Sequence, residues 1–284
     1  MLPLRILAAA ALALSLQGIG RSAQPLEEVP YVQTPQNVVD AILELAAVGA
    51  DDRLIDLGSG DGRIVITAAR RYGTLGLGIE IDPRLVELAT RNAERTGVAG
   101  RARFVQQDLF ETDFSAATVL TLYLLPDVNL ALRPKLLDTL APGTRIVSHD
   151  WDMGEWRPDR SVTVPAPGKP VGREQTSTVH LWIVPARVAG RWTGTIEDRG
   201  RARRIELTIE QRFQDLGIGL ATRAAPPVFG SGSLVGNRLA FTLTQGGATQ
   251  RFEGSVRDDR IEGRVLIGER QLRWHANRRA ATRP

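Results

Sequence analysis

An aspartate, three glycines and a glutamate carry the chemistry of this chain. Residues 54–62 are Leu-Ile-Asp-Leu-Gly-Ser-Gly-Asp-Gly, and Glu80 follows 18 residues beyond Gly62, within Gly78-Ile-Glu-Ile-Asp-Pro83. An apolar run that breaks into glycines and resumes as a helical pattern predicts a strand, a tight turn and a helix. Glycines let the backbone approach a ligand closely. An acid ending the neighbouring strand can take both hydroxyls of a ribose. Together the two segments predict a nucleoside-cofactor pocket. The bland alternative is a strand–helix turn with no ligand.

The spacing narrows the ligand. A dinucleotide turn runs Gly-x-Gly-x-x-Gly beneath a pyrophosphate. Here the order is Asp56-x-Gly58-x-Gly60-x-Gly62. An acid just ahead of the turn repels pyrophosphate and suits a cation, such as the sulfonium and ammonium of S-adenosylmethionine (AdoMet). No Gly-Lys-Ser/Thr is present, which excludes a P-loop. Gly58, Ser59, Gly60 and Gly62 are then expected beneath the amino-acid end of the cofactor, with Asp56 on its ammonium side. N–H groups of the helix starting near Arg63 are free to hold its carboxylate. Glu80 is the expected ribose ligand. Asp61 is a helix cap or a ligand, and Asp82 an N-cap ahead of Pro83.

The elements that must position these residues alternate strand and helix. Strands are expected at 53–57, 75–80, 101–106, 117–123 and 144–149, with helices at 63–72, 83–96 and 127–140 between them. The segments 160–165 and 176–184 add a hairpin, making seven strands. The run 117–123 is largely apolar, as for a strand buried on both faces. This predicts a Rossmann-like seven-stranded sheet with helices on both faces over residues 25–186. From 187 to 284 the helical period vanishes. Eight alternating segments separated by turn residues predict an all-β meander, closed as a barrel or strongly curved to remove its edges. Trp192 and Trp274 belong in its core.

Composition bounds what remains. There is no cysteine, hence no disulfide, thiolate nucleophile or Cys-based zinc site. The net charge of +4 is uneven: residues 187–284 hold 18 Arg against 10 Asp/Glu, a net +8, which leaves about −4 elsewhere. The arginines are scattered and lack interleaved aromatics, so nucleic-acid binding is not expected. Residues 1–24 have the charged start, apolar stretch and small-residue end of a signal peptide. The stretch is shorter than the ~20 residues of a spanning helix. Export, or an uncleaved anchor holding the protein at the cytoplasmic face of a membrane, are the two expectations.

The glycine turn with Glu80 resembles the class I, seven-stranded AdoMet-dependent methyltransferases. The resemblance narrows with Tyr31-Val-Gln-Thr-Pro35, Asp108-Leu-Phe110, Thr121-Leu-Tyr-Leu-Leu-Pro126 and Val147-Ser-His149 in order. Over about residues 30–185 the chain is similar to the ATP synthase c-subunit and adenine nucleotide translocase lysine methyltransferases. Gln33, where that family tends to have proline, and the C-terminal β domain depart from it. The resemblance implies that Asp108 takes the adenine amino group, that Leu109 packs the ring, and that the acceptor lies after the fourth strand. Its acceptor would be a protein lysine, which must be desolvated to become a neutral nucleophile. Tyr31 and Tyr123 are the candidate catalytic residues, Trp151 and Trp156 are further candidates to line the channel, and core packing is the alternative for all four. His149 is a base or a loop anchor. No metal is expected, Asp150 and Asp152 being the only candidates. Methylation of a small molecule or lipid, or binding without catalysis, are the alternatives.

Overall fold

The computed structural model describes residues 31–169, 174–223 and 225–279. The expected signal or anchor segment, 1–24, lies outside them. The elements run α1 (Gln36–Leu45), β1 (Arg53–Leu57), α2 (Arg63–Tyr72), β2 (Leu75–Glu80), α3 (Pro83–Arg95), β3 (Ala102–Gln106), β4 (Val119–Leu122), α4 (Pro126–Thr139), β5 (Arg145–His149), β6 (Arg160–Pro165) and β7 (Thr176–Ile183). Then come β8 (Gly190–Asp198), β9 (Arg201–Arg212), β10 (Asp215–Thr222), β11 (Ala225–Val235), β12 (Arg238–Gln245), β13 (Ala248–Arg257), β14 (Arg260–Ile267) and β15 (Arg270–Arg278).

The first seven strands form one sheet in the order β3-β2-β1-β4-β5-β7-β6. β7 is antiparallel to β5 and to β6, and the other pairings are parallel. Period-two alternation splits the side chains between two cores. Leu54, Val119, Val147 and Leu181 meet α1, α2 and α3 on one face. Ile55, Leu120, Ile146 and Trp182 meet Val128, Leu132 and Leu136 of α4 on the other. Among the described residues helices therefore cover both faces, three against one. The chain reverses direction across the sheet between β1 and β4, the place where open α/β sheets bind ligands at their strand ends.

β8 to β15 close into an eight-stranded antiparallel barrel, with β15 pairing back to β8. Its interior is filled by side chains that include Trp192, Phe241, Phe252 and Trp274. Alternation in the sequence predicts a short strand at 232–235, whereas β11 begins seven residues earlier, at Ala225. Pro226 and Pro227 lie within it. Pairing with β12 starts only at Gly230, so those prolines have a strand on one side alone and owe it no N–H. The barrel rests on the α4 face. Phe213 stacks on Trp156 with centroids 5.9 Å apart, and Gln214 Nε2 donates to the Arg157 carbonyl at 2.7 Å.

Candidate active site

A cavity of about 590 Å³ opens at the carboxyl ends of β1, β2, β3 and β4. Tyr31, Asp56, Gly58, Ser59, Gly60, Glu80, Asp108, Leu109 and Tyr123 all line it. Residues drawn from five separate stretches of sequence thus meet at one place. Gly62 does not line it. Gly62 is the left-handed residue (φ 79°) that starts α2, and a Cβ there would fall 2.4 Å from Phe104 Cζ. Its freedom serves helix packing, not the ligand.

The glycine turn is fastened to the end of β2. The N–H groups of Gly58 and Ser59 both donate to the Ile79 carbonyl, at 2.9 and 3.0 Å. Glu80 is buried and takes three backbone donors: Gly60 N–H on Oε2 at 2.8 Å, and Ile81 and Asp82 N–H on Oε1 at 2.8 and 3.1 Å. A carboxylate has about four acceptor positions, so one remains, on Oε2. Glu80 is therefore a staple for the turn as well as the acid expected at the ribose.

Asp56 is 3% exposed and accepts the Thr121 hydroxyl at 2.7 Å. Burial, with the Glu80 and Asp61 charges adding to it, pushes its carboxyl up to about 8. A carboxyl this costly to ionise is relieved by a cation in the cavity. Ser59 Oγ, against Gly78 on the neighbouring strand, is buried and has no hydrogen-bond partner. An orphaned hydroxyl, a strained acid and a glycine turn fit a polar, cationic ligand and are left wanting without one. Thr121 escaped the sequence reading, although it is the lone polar residue in an apolar strand and sits in register with Asp56.

Tyr31 covers the turn. A Cβ on Gly60 (φ 54°) would fall 2.5 Å from Tyr31 Cε2, so the glycine leaves room for the ring. The segment that carries Tyr31 is held by Arg63, whose guanidinium donates to the Thr34 carbonyl at 2.6 Å and grips Asp61 at 2.6 Å. Burial would raise Asp61, but the Arg63 hydrogen bonds and charge overcome it and hold the carboxyl below its ordinary range. Asp61 thus serves Arg63 while lining the cavity. Asp82 is the N-cap of α3, accepting Arg84 N–H at 2.8 Å. Asp108 lines the cavity and also accepts Phe110 N–H at 2.7 Å, which shapes its own turn.

Tyr123 leaves β4 at the other end of the cavity. Its ring lies on His149, centroids 3.9 Å apart. Burial, and then the Asp150 charge, push the phenol up to about 12, so it is neutral at physiological pH. His149 is fully buried and does not line the cavity, so it is no base for an acceptor there. Its Nδ1 meets Thr34 Oγ1 at 3.2 Å and its Nε2 meets Ser177 Oγ at 2.8 Å. Burial lowers it to about 4, against the pull of Asp150 and with the push of Lys169. It is an anchor behind Tyr123. Asp150 is taken by Lys169 Nζ at 2.5 Å and Thr178 N–H at 3.0 Å. Among the described residues no three His, Asp or Glu side chains are grouped to hold a metal ion. Trp156 is no channel residue: it is fully buried and stacks on Phe213, and Trp151 does not line the cavity either.

A family model described as the ANTKMT methyltransferase domain matches residues 56–160. A protein-lysine N-methyltransferase of Saccharolobus islandicus is 43% identical over 157 residues, 55% of this chain and 94% of that protein. The adenine nucleotide translocase lysine N-methyltransferase of Mus musculus is 34% identical over 46% of this chain and 57% of its own length. The human lysine N-methyltransferase of the ATP synthase c-subunit is 32% identical over 46% of this chain and 55% of its own length. The chain thus spans little more than half of these two mammalian relatives. A solved RNA methyltransferase from Salinibacter ruber, in complex with S-adenosyl-L-homocysteine, is 56% identical, covering 55% of this chain and 96% of that one, with a TM-score of 0.50.

Proposed function

The chain belongs to the AdoMet-dependent methyltransferase family of these lysine methyltransferases, and from that membership we propose that it methylates the amine of a protein lysine. The charge of the cavity carries the choice of acceptor. Two guanidiniums line it and both are paired, Arg63 with Asp61 and Arg84 with Asp82, and Asp56 holds its proton until a cation arrives, so the carboxylates of Glu80 and Asp108 leave the lining net negative. Such a mouth draws a cationic side chain inward and repels a phosphate backbone.

When bound, AdoMet supplies a methyl carbon on a sulfonium leaving group. The site residues position both partners. Glu80, with Gly60 stapled to it, would hold the ribose through its remaining acceptor. Asp108 and Leu109 would hold the adenine, and Ser59 Oγ with Asp56 the amino-acid end. Tyr31 would close over the turn and exclude water. Tyr123, neutral and backed by His149, would present an aromatic face to the incoming amine. Desolvation between Tyr31, Tyr123 and Leu124 favours the uncharged amine, the form with a lone pair for in-line attack. A proton held on nitrogen at entry leaves to bulk water.

Similarity to the Salinibacter RNA methyltransferase favours a second reading, methylation of RNA. One experiment separates the two. The purified chain is incubated with methyl-labelled AdoMet and, separately, protein and RNA fractions of its own cells, with Glu80→Ala alongside. Label recovered as methyllysine after acid hydrolysis, and lost in Glu80→Ala, supports the proposal. Label confined to RNA overturns it. The apolar run of residues 6–16 supports a further proposal, attachment to a membrane with the cofactor site on the cytoplasmic side. Mass spectrometry showing a mature N-terminus near Gln24 would count against that attachment.

A further inference from the structure

The barrel carries a second concavity, of about 550 Å³, on the outer face of β13, β14 and β15. Its lining is dominated by Arg257, Arg260, Arg264 and Arg273, with Glu262, Glu197 and His275 among them. Arg257 lies directly opposite Arg260, and Arg264 directly opposite Arg273, with Glu253 on the other side of Arg264 and Glu197 on the other side of Arg273. Side chains in such register stand about 5 Å apart at Cβ, and like charges so placed repel. Arg260 is paired with Glu262, whereas among the described residues Arg257, Arg264 and Arg273 have no ion-pair partner within 4.0 Å. Four guanidiniums against two carboxylates leave the lining positive. No aromatic face is offered to a base: Trp274 is buried, and its indole N–H donates to the Glu253 and Arg264 carbonyls at 3.0 and 3.1 Å. The chemistry matched by paired guanidinium forks without a stacking platform is a phosphate group.

We propose that this groove binds a phosphate group, gripped by Arg264 and Arg273, with Arg257 and Arg260 completing the positive rim. The site stands apart from the methyl-transfer cavity and does not rest on the choice of acceptor. The phosphate belongs either to a small soluble compound or to the headgroup of an anionic lipid.

The test titrates inorganic pyrophosphate into the full chain by calorimetry at low salt, and follows its sedimentation with phosphatidylcholine vesicles with and without phosphatidylglycerol. Saturable pyrophosphate binding, weakened about tenfold or more in Arg264→Gln/Arg273→Gln, is the expected result. Arg238→Gln removes one barrel charge outside the groove and should leave binding unchanged. Glu262→Gln removes the carboxylate within the groove and should tighten binding, which keeps the test decisive even if the double variant fails to fold. Phosphatidylglycerol-dependent sedimentation that drops in the double variant identifies a lipid headgroup. Pyrophosphate binding without it identifies a soluble phosphate compound. Absence of pyrophosphate binding, or an equal loss in Arg238→Gln, overturns the proposal.

Discussion

Two glycines of the same turn do different work. Gly60 makes room for Tyr31, while Gly62 makes room for Phe104 and Ala89 behind the helix. Both have positive φ, so alanine costs ~1 kcal/mol or more of backbone strain at either. Gly60→Ala should displace Tyr31 and weaken AdoMet binding about tenfold or more, read by calorimetry, with a small change in melting temperature. Gly62→Ala should lower the melting temperature by several degrees, because Phe104 has to move. The reverse pattern would show that Tyr31 does not cover the site. Asp56 gives a pH signature. Its folded pKa, about 8, lies above the ordinary 3.8. Between those values the unfolded chain ionises while the folded one keeps its proton, so this group's contribution to stability falls as pH rises from about 4 to about 8. Asp56→Asn should flatten that part of the ligand-free melting profile and weaken AdoMet binding. A wild-type slope that persists in Asp56→Asn would refute the assignment.

At the scale of elements, the placement of Tyr123 depends on strands that contribute nothing to the cavity lining. β5 delivers His149 beneath Tyr123, β7 delivers Ser177, and the segment before α1 delivers Thr34. One buried imidazole therefore joins three chain segments. His149→Phe keeps the ring but drops both polar contacts. It should lower kcat by tenfold or more with AdoMet affinity nearly unchanged, since a shift of an ångström costs that much in alignment. Equal activity in His149→Phe would make Tyr123 independent of its support. The depressed His149 pKa also sets a sign. From pH 6.5 down to about 4 the unfolded chain takes up a proton that the folded one refuses, so stability from this group is lost on acidification. In His149→Phe the loss of stability across that window should shrink, as followed by denaturant unfolding at stepped pH.

At the scale of the molecule, the barrel is docked against the α4 face and contributes no described residue to the methyl-transfer cavity. Phe213 lies between Trp156 at 5.9 Å and the Arg133 guanidinium at 5.5 Å. Salt bridges Arg157–Asp215 and Arg187–Asp138 also join the two units, but both are exposed and add little. Phe213→Ala should destabilise the docked arrangement by about 2 kcal/mol, through lost burial and stacking. Calorimetric melting should then resolve the sheet and barrel transitions further apart than in the wild type. An unchanged melting profile would place the docking energy elsewhere.

By itself the sequence determined the sheet, its helices, the eight-stranded second unit and the family, because these rest on local periodicity and on glycines and acids at fixed spacing. The strand–turn–helix of residues 53–72 and the cap at Asp82 are legible for that reason. The match between Asp56 and Thr121, Glu80 closing back on Gly60, and Tyr31 lying over the turn required the tertiary structure. Each joins residues that are tens of positions apart and have no periodic relation. The same holds where expectation and structure part: sequence spacing puts Gly62 at the ligand and leaves Trp156 between channel and core, and packing puts Gly62 behind the helix and Trp156 in the core. A glycine beside a ligand and one beside a phenylalanine look alike in one dimension. Only packing, which sets what a missing Cβ makes room for and which face of a ring is covered, separates them.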